Sequence, residues 1–326
     1  MGELTPFLQH HADFPVFWDF FSDTLGPLGW WIGLQLVLLF LGTRRGLRLV
    51  WVFLLAALAN SVLKWLWAEP RPYWASDSVQ ALRATAGFGM PSGHAQVATA
   101  FWGGMAWLVG VRWVWVLAVL IVFFTGVSRV YYGVHSPAQV LVGWTLGIAL
   151  TSWLLWRLPR IEAFFRRQVL TRQIGFGIVI WLVAAALMGG VYLLRADFVA
   201  PTDWVERFLA AQALFGTARS GPGQMHLVEA STFLLLIPLL GYGGLALLTH
   251  RRGHYCVIGG RAKLLAFVAA LAINLGAIAL LWSAEAPQWL VAGWLLVQPV
   301  VAVWWPLRLV GQPEAPVAVS TSTSAA

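Results

Sequence analysis

The chain has 326 residues, of which 60% are hydrophobic and only 10% charged, and its mean hydropathy is +0.75. A soluble domain is about one quarter charged, so a water-soluble globule and a disordered chain are both excluded, and a single cysteine excludes a disulfide framework. The formal charge of +8 sits at the ends of apolar runs rather than in one patch, which argues for orientation in a membrane and against nucleic acid as a partner.

Residues 1–27 are acidic and aromatic rather than basic and then apolar, so no cleavable signal peptide is expected there. They read as an interfacial segment on the outer face, with Phe7, Phe14, Phe17, Trp18, Phe20 and Phe21 towards lipid. Nine apolar runs follow, at 28–42, 47–67, 94–111, 113–130, 138–156, 175–194, 230–249, 264–282 and 287–305. Runs of this kind cross bilayers as helices and lack the alternation of barrel strands. The predicted fold is all-α, a polytopic helical membrane protein. A five-span core occupies 28–156 and a basic cytoplasmic linker 157–173. A four-span C-terminal region without an assigned role fills 174–311, and the Pro-, Ser- and Thr-rich tail 312–326 reads as disordered. The outer loop 195–229 contains a turn signal, Ser220-Gly221-Pro222-Gly223. The pairs Gly143/Gly147 and Gly189/Gly190 suit close helix packing.

Threading the nine spans from an outer N-terminal segment places fourteen of the 21 lysines and arginines in inner loops, with two acidic residues, Glu162 and Glu314. This is the positive-inside pattern of an integral plasma (inner) membrane protein. The basic loops meet anionic lipid heads. Cys256, in the inner sequence Arg251-Arg252-Gly253-His254-Tyr255-Cys256, reads as a bystander thiol.

Three polar stretches interrupt this pattern: Lys64 with Arg71-Pro72, Pro91-Ser92-Gly93-His94, and Ser128-Arg129 with His135. Ionisable groups beside membrane spans are costly and read first as functional. Counting crossings puts all three on the non-cytoplasmic side. Lys64 and Arg71 are seven residues apart, about two helical turns, so both face one point if the helix persists. Ser92 is an N-cap candidate, and free amides at a helix start bind phosphate oxygens. Arg129 offers a planar fork that matches such oxygens. Each stretch also has a plainer reading, as snorkelling cations or an ordinary capped helix. No carboxylate or thiol lies near either histidine in sequence, and three cations would repel a metal ion. No metal and no cofactor is therefore expected.

Taken together, Lys-x6-Arg-Pro, Pro-Ser-Gly-His and Ser-Arg-x5-His resemble the type-2 phosphatidic acid phosphatase superfamily over roughly 28–156. The resemblance implies His135 as nucleophile, forming a phosphohistidine, and His94 as general acid. It implies Lys64, Arg71, Ser92, Gly93 and Arg129 as the cradle for the phosphoryl oxygens. The family pattern ends in Asp four residues after the nucleophile, where this chain has Gln139. A glutamine carbonyl can orient His135 but supplies no charge; Glu69 is a second source of charge. The expected activity is hydrolysis of a lipid phosphate or diphosphate: phosphatidate, phosphatidylglycerophosphate or a polyprenyl diphosphate. A lipid-to-lipid phosphotransferase is the alternative enzyme, and a binder or transporter that has lost turnover is the alternative without one.

Overall fold

The computed structural model of the protein describes residues 4–12, 14–85, 87–215, 236–252, 255–256, 260–283, 288–304 and 312–313. Helix dominates. The N-terminal part holds α1 (Leu4–His11), α2 (Pro15–Asp19), a wide π-type turn at Phe20–Leu28, and α3 (Gly29–Phe40). The centre follows with α4 (Thr43–Trp67), the short α5 (Pro72–Ala75), α6 (Gly93–Ala98) and α7 (Gly104–Val109), joined by a π-type turn at Thr99–Gly103. Then come α8 (Arg112–Tyr131) and α9 (Pro137–Arg166). Beyond them lie α10 (Leu170–Leu194), α11 (Thr202–Leu214), α12 (Leu236–Arg252), α13 (Gly260–Ser283) and α14 (Gln288–Gln298). Among the described residues the extended pairing is a two-residue antiparallel bridge, Tyr255–Cys256 with Gln312–Pro313.

Each of the nine expected apolar runs is mainly helical over its described residues, with helix ending before Leu41 in the first and before Gly110 in the third. Among the described residues four helical stretches, Thr43–Ala75, Arg112–Tyr131, Pro137–Arg166 and Leu170–Leu194, are long and apolar enough to cross a membrane. In α10, Ile178, Val179, Ile180, Leu182 and Val183 are exposed. Apolar side chains turned outward along most of a helix are what lipid contact requires. At the basic end of the bundle, Arg48 from the start of α4 pairs with Glu162 near the end of α9, Nη2 to Oε2 2.6 Å.

Small residues set the helix spacing at the centre. A Cβ on Gly143 would meet the Ser92 carbonyl oxygen at 2.7 Å, and one on Gly147 would meet the Gln96 oxygen at 2.8 Å. α9 therefore lies against α6 with backbone almost in contact, as the Gly143/Gly147 spacing predicts. Gly189/Gly190 behave otherwise, since nothing stands within 4 Å of a Cβ at either position.

Several expectations are corrected. α4 does not persist to Arg71. It ends at Trp67, where Ala68 takes a left-handed conformation with φ 48°, and the chain turns back. Arg71 becomes the N-cap residue of α5, with Pro72 at the first helical position, where its missing N–H costs nothing. The N-terminal segment is not simply interfacial. Phe7, Phe14, Phe17 and Phe20 are exposed, whereas Trp18 is buried, stacks on Tyr131 at 5.3 Å and donates its indole N–H to the Ala12 carbonyl. Residues 14–28 form a strap across the end of α8. The outer loop also contains a helix, α11, that hydropathy does not reveal. Its buried Phe208 packs edge-on against Trp74 of α5 at 5.9 Å. Burying one such ring contributes about 1.5–3 kcal/mol. The turn expected at Ser220–Gly223 and the tail beyond Pro313 lie outside the described residues.

Candidate active site

The three polar stretches meet at one end of the bundle. Lys64, in the last turn of α4, extends its ammonium to the Phe88 carbonyl. Arg71 is almost wholly buried; its Nε donates to the Gly87 carbonyl at 2.8 Å and one Nη donates to the Val134 carbonyl at 2.9 Å. Arg71 thus staples the loop before α6 to the loop before α9. The same Nη lies 3.2 Å from Nε2 of His135.

His135 enters the site from the five-residue connection between α8 and α9. That connection is fixed by the bond from its backbone N–H to the Arg129 carbonyl, 3.2 Å, and by Gly133 at φ 71°. Its imidazole is 2% exposed. Nδ1 faces the Gly89 carbonyl at 2.8 Å and the Gln139 side-chain oxygen at 3.3 Å. Two acceptors on one side put the ring proton on Nδ1 and leave Nε2 with a lone pair directed at Arg71. Burial, followed by the charges of Arg71, Lys64 and Arg129, holds His135 well below the ordinary histidine range. The ring is accordingly neutral, the form a nucleophile requires.

Gln139 is tied on every side. Its carbonyl also accepts the Ser136 backbone N–H at 3.1 Å, and its backbone N–H donates to Ser136 Oγ at 3.2 Å, a reciprocal cap at the start of α9. Its amide nitrogen donates to the Pro70 carbonyl at 2.9 Å and to Glu69 Oε1 at 3.1 Å. Glu69 thus reaches the neighbourhood of His135 through Gln139 rather than directly.

Ser92 caps α6, with Oγ 3.5 Å from the Ala95 nitrogen, and its own N–H donates to the Gln139 carbonyl at 3.0 Å. A Cβ on Gly93 would lie 3.9 Å from Lys64 Cε and 3.0 Å from Asn60 Oδ1. His94 tilts against Trp30 with ring centroids 5.6 Å apart and feels the charges of Arg129, Arg71 and Lys64. Arg129, from the last turn of α8, is 3% exposed. One Nη donates to Ser22 Oγ at 2.6 Å, and its Nε has no partner among the described residues. All eight site residues expected from sequence therefore belong to one cluster.

Two groups of neighbours are absent from that expectation. Asn60 donates to Gln96 Oε1 at 2.9 Å and to the Pro91 carbonyl at 3.3 Å, fixing the start of α6 against α4. A polar residue four positions before Lys64, on the same helix face in an apolar run, was a readable signal. The second group is Ser22 and the strap around it, which no spacing rule connects with residue 129. Among the described residues, no three His, Cys, Asp or Glu side chains come together as a metal site would require.

Such an arrangement can hold a tetrahedral anion between cations, present a neutral nitrogen to it and supply a second imidazole for proton transfer. Several known proteins are similar to part of this chain. An undecaprenyl-diphosphatase from Sulfolobus acidocaldarius is 33% identical over 131 residues, which are 39% of this chain and 61% of that protein. Human glucose-6-phosphatase 3 is 28% identical over 167 residues, 42% of this chain and 47% of the relative. Phosphatidylglycerophosphatase B from Bacillus subtilis is 32% identical over 117 residues, 33% of this chain and 55% of the relative. The chain thus spans between about half and three fifths of the length of these relatives. No solved structure matches it. Residues 45–162 match the PAP2 superfamily and contain each residue of the three polar stretches, so this helical membrane protein carries a PAP2 superfamily domain.

Proposed function

We propose that the protein hydrolyses a lipid phosphate or diphosphate at the non-cytoplasmic face of the plasma membrane, through a phosphohistidine on His135. The observation that carries the proposal is the His135 ring, with Nδ1 2.8 Å from the Gly89 carbonyl and Nε2 3.2 Å from Arg71. In the first step Nε2 forms a bond to phosphorus while the bond to the leaving oxygen breaks, and protonated His94 gives that oxygen its proton. In the second step neutral His94 takes a proton from water. The resulting oxygen bonds to phosphorus as the P–N bond breaks, and Nε2 recovers its lone pair. Lys64, Arg71 and Arg129 hold the equatorial oxygens, with Ser92 and Gly93 lining the approach, so that catalysis rests on positioning and charge stabilisation. No step calls on a metal ion.

A lipid substrate suits a phosphate site at the end of a membrane bundle, where a tail stays in the bilayer while the head reaches the cations. The undecaprenyl-diphosphatase and phosphatidylglycerophosphatase relatives support this class. The glucose-6-phosphatase relatives support a second reading, a soluble sugar phosphate. Purified protein is to be given phosphatidate, phosphatidylglycerophosphate, a polyprenyl diphosphate and glucose 6-phosphate, with inorganic phosphate measured. Release from one or more of the lipids and acid-labile labelling of the protein, lost in His135→Ala, are expected. Transfer of phosphate to a second lipid without release would make it a transferase, and retained labelling in His135→Ala would move the nucleophile elsewhere.

A further inference from the structure

The strap at residues 14–28 covers the cationic end of the cluster although it lies ahead of the PAP2 region. It is fixed at several points. Thr125 of α8 donates to the Phe21 carbonyl at 3.2 Å, and Trp102 donates its indole N–H to the Leu25 carbonyl at 3.1 Å. Arg83, from the loop before α6, pairs with Asp19 and with Asp23, the latter at 2.7 Å, and its guanidinium lies 4.0 Å over the Tyr132 ring. Gly26 passes so close to His94 that a Cβ there would be 3.7 Å from the imidazole.

Ser22 stands at the centre of this strap and is fully buried. Its oxygen accepts from Arg129 at 2.6 Å, while its hydroxyl lies against the Asp23 carboxylate, which Arg83 also engages. Arg129 can rotate about several bonds, and the Tyr132 ring 5.7 Å below its guanidinium is an apolar face that does not direct its donors. The contact with Ser22 supplies that definition: with one Nη committed to the strap, the remaining donors, including the unpartnered Nε, are held for an anion.

We propose that Ser22 is a positioning residue for phosphoryl binding, which sets the orientation of Arg129 from the strap, with Arg83 latching the strap through Asp19 and Asp23. The proposal rests on the phosphatase reading given above. It makes the N-terminal segment part of the active site rather than a membrane anchor, and it assigns to the pair Arg83–Asp23 a role that acts through Ser22.

Orthovanadate, which mimics the five-coordinate phosphorus of the transition state, is the probe. Wild type, Ser22→Ala, Ser22→Thr and Arg83→Gln are to be purified in detergent and compared for kcat, KM, orthovanadate inhibition and melting temperature. Ser22→Ala is expected to weaken orthovanadate inhibition and lower kcat/KM by the same factor, roughly 10-fold or more, as for the loss of a hydrogen bond to a charged group. Its melting temperature is expected to stay near that of wild type, and Ser22→Thr, which keeps the hydroxyl, is expected to restore both kinetic quantities. Arg83→Gln is expected to shift them in the same direction. An active, vanadate-sensitive wild type with unchanged inhibition in Ser22→Ala would overturn the positioning role and leave the phosphatase reading intact. Equal losses in Ser22→Ala and Ser22→Thr, or losses that track a fall in melting temperature, would reduce Ser22 to a packing residue. A wild type that neither hydrolyses phosphate esters nor responds to orthovanadate would overturn both readings.

Discussion

Nδ1 of His135 is nearer to the backbone oxygen of Gly89, at 2.8 Å, than to any side-chain acceptor. The Gln139 oxygen is farther, at 3.3 Å, and is shared with the Ser136 N–H. The tautomer of His135 is therefore set chiefly by the backbone, and a carboxylate is not needed to fix it. Gln139→Leu is expected to lower kcat by about 10-fold, within the range for groups that orient a functional histidine, and not to abolish it. Gln139→Asp would place a second carboxylate near Glu69, whose Oε1 now accepts from the Gln139 amide at 3.1 Å. It is expected to gain little alone and more when combined with Glu69→Gln. Steady-state kinetics of the four variants decide this; additive effects at 69 and 139 would show the two positions to be uncoupled.

His94 is expected to matter in proportion to the basicity of the leaving group. A positioned acid contributes about 10²–10⁴-fold, and a nitrophenolate leaves without much protonation. His94→Ala should lose that factor on a lipid phosphate and far less on a nitrophenyl phosphate. The ratio of the two losses is the measurement, and a ratio near one would remove the acid role.

Arg129→Lys keeps the charge and loses the fork. Because one Nη is committed to Ser22, 2.6 Å away, a compact ammonium lacks the separated, planar donors with which the fork faces the strap and a phosphoryl oxygen at once. Activity is expected to remain strongly impaired, with kcat/KM at least about 10-fold below wild type. Near-normal kinetics would reduce the residue to charge neutralisation.

The pH profile follows from His135, which burial and the charges of Arg71, Lys64 and Arg129 hold well below the ordinary histidine range. In the proposed mechanism the neutral ring attacks phosphorus, so turnover is expected to persist as the pH falls past about 6.5, the usual histidine value. It is then lost as the pH passes through the lowered folded-state value. Stability has the same sign. The unfolded chain takes up the proton first, so this contribution is present above about 6.5 and is lost as the pH falls towards the folded-state value. Phosphate release measured across the acid range checks the first statement, and an acid limb centred at or above 6.5 would contradict it.

The side of the membrane is set by cysteine labelling. In a Cys256→Ser background, an impermeant thiol reagent applied to intact cells is expected to modify Ala75→Cys, beside the site, and to spare Ala163→Cys, next to Glu162 at the basic end of α9. The reverse pattern would put the site in contact with the cytoplasm.

Hydropathy made the helical character of the apolar runs legible because helices in lipid must satisfy their own backbone bonds, which leaves few alternatives for a long apolar run. The candidate residues stood out because Lys64, Arg71, His94, Arg129 and His135 are costly where they stand, and the fold brings them together. What stayed hidden depends on direction rather than composition. The seven-residue interval from Lys64 to Arg71 fits two turns of helix, yet a left-handed Ala68 brings the two cations together by reversing the chain. Trp18 has the same apolar character as its exposed neighbours Phe17 and Phe20, and its stacking on Tyr131 and its indole bond to the Ala12 carbonyl separate it from them. α11 escaped notice because its charged residues mask the one face that carries Phe208.

The packing of α11 on α5 has a consequence for any attempt to divide the chain. Trp74 is fully buried partly by Phe208 and Trp204, Arg207 donates to the Trp74 carbonyl at 2.9 Å and pairs with Asp77, and Tyr192 of α10 packs edge-on against Trp65 in the turn that carries Lys64. A fragment cut after Arg166 would retain every residue of the three polar stretches. It would also strip the outer wall from the loop on which Arg71 stands, leaving two tryptophans uncovered. The order of the Arg71 loop thus depends on residues as far along the chain as 208, and a fragment trimmed to the matched stretch 45–162 is expected to insert and yet lack an ordered phosphate cradle.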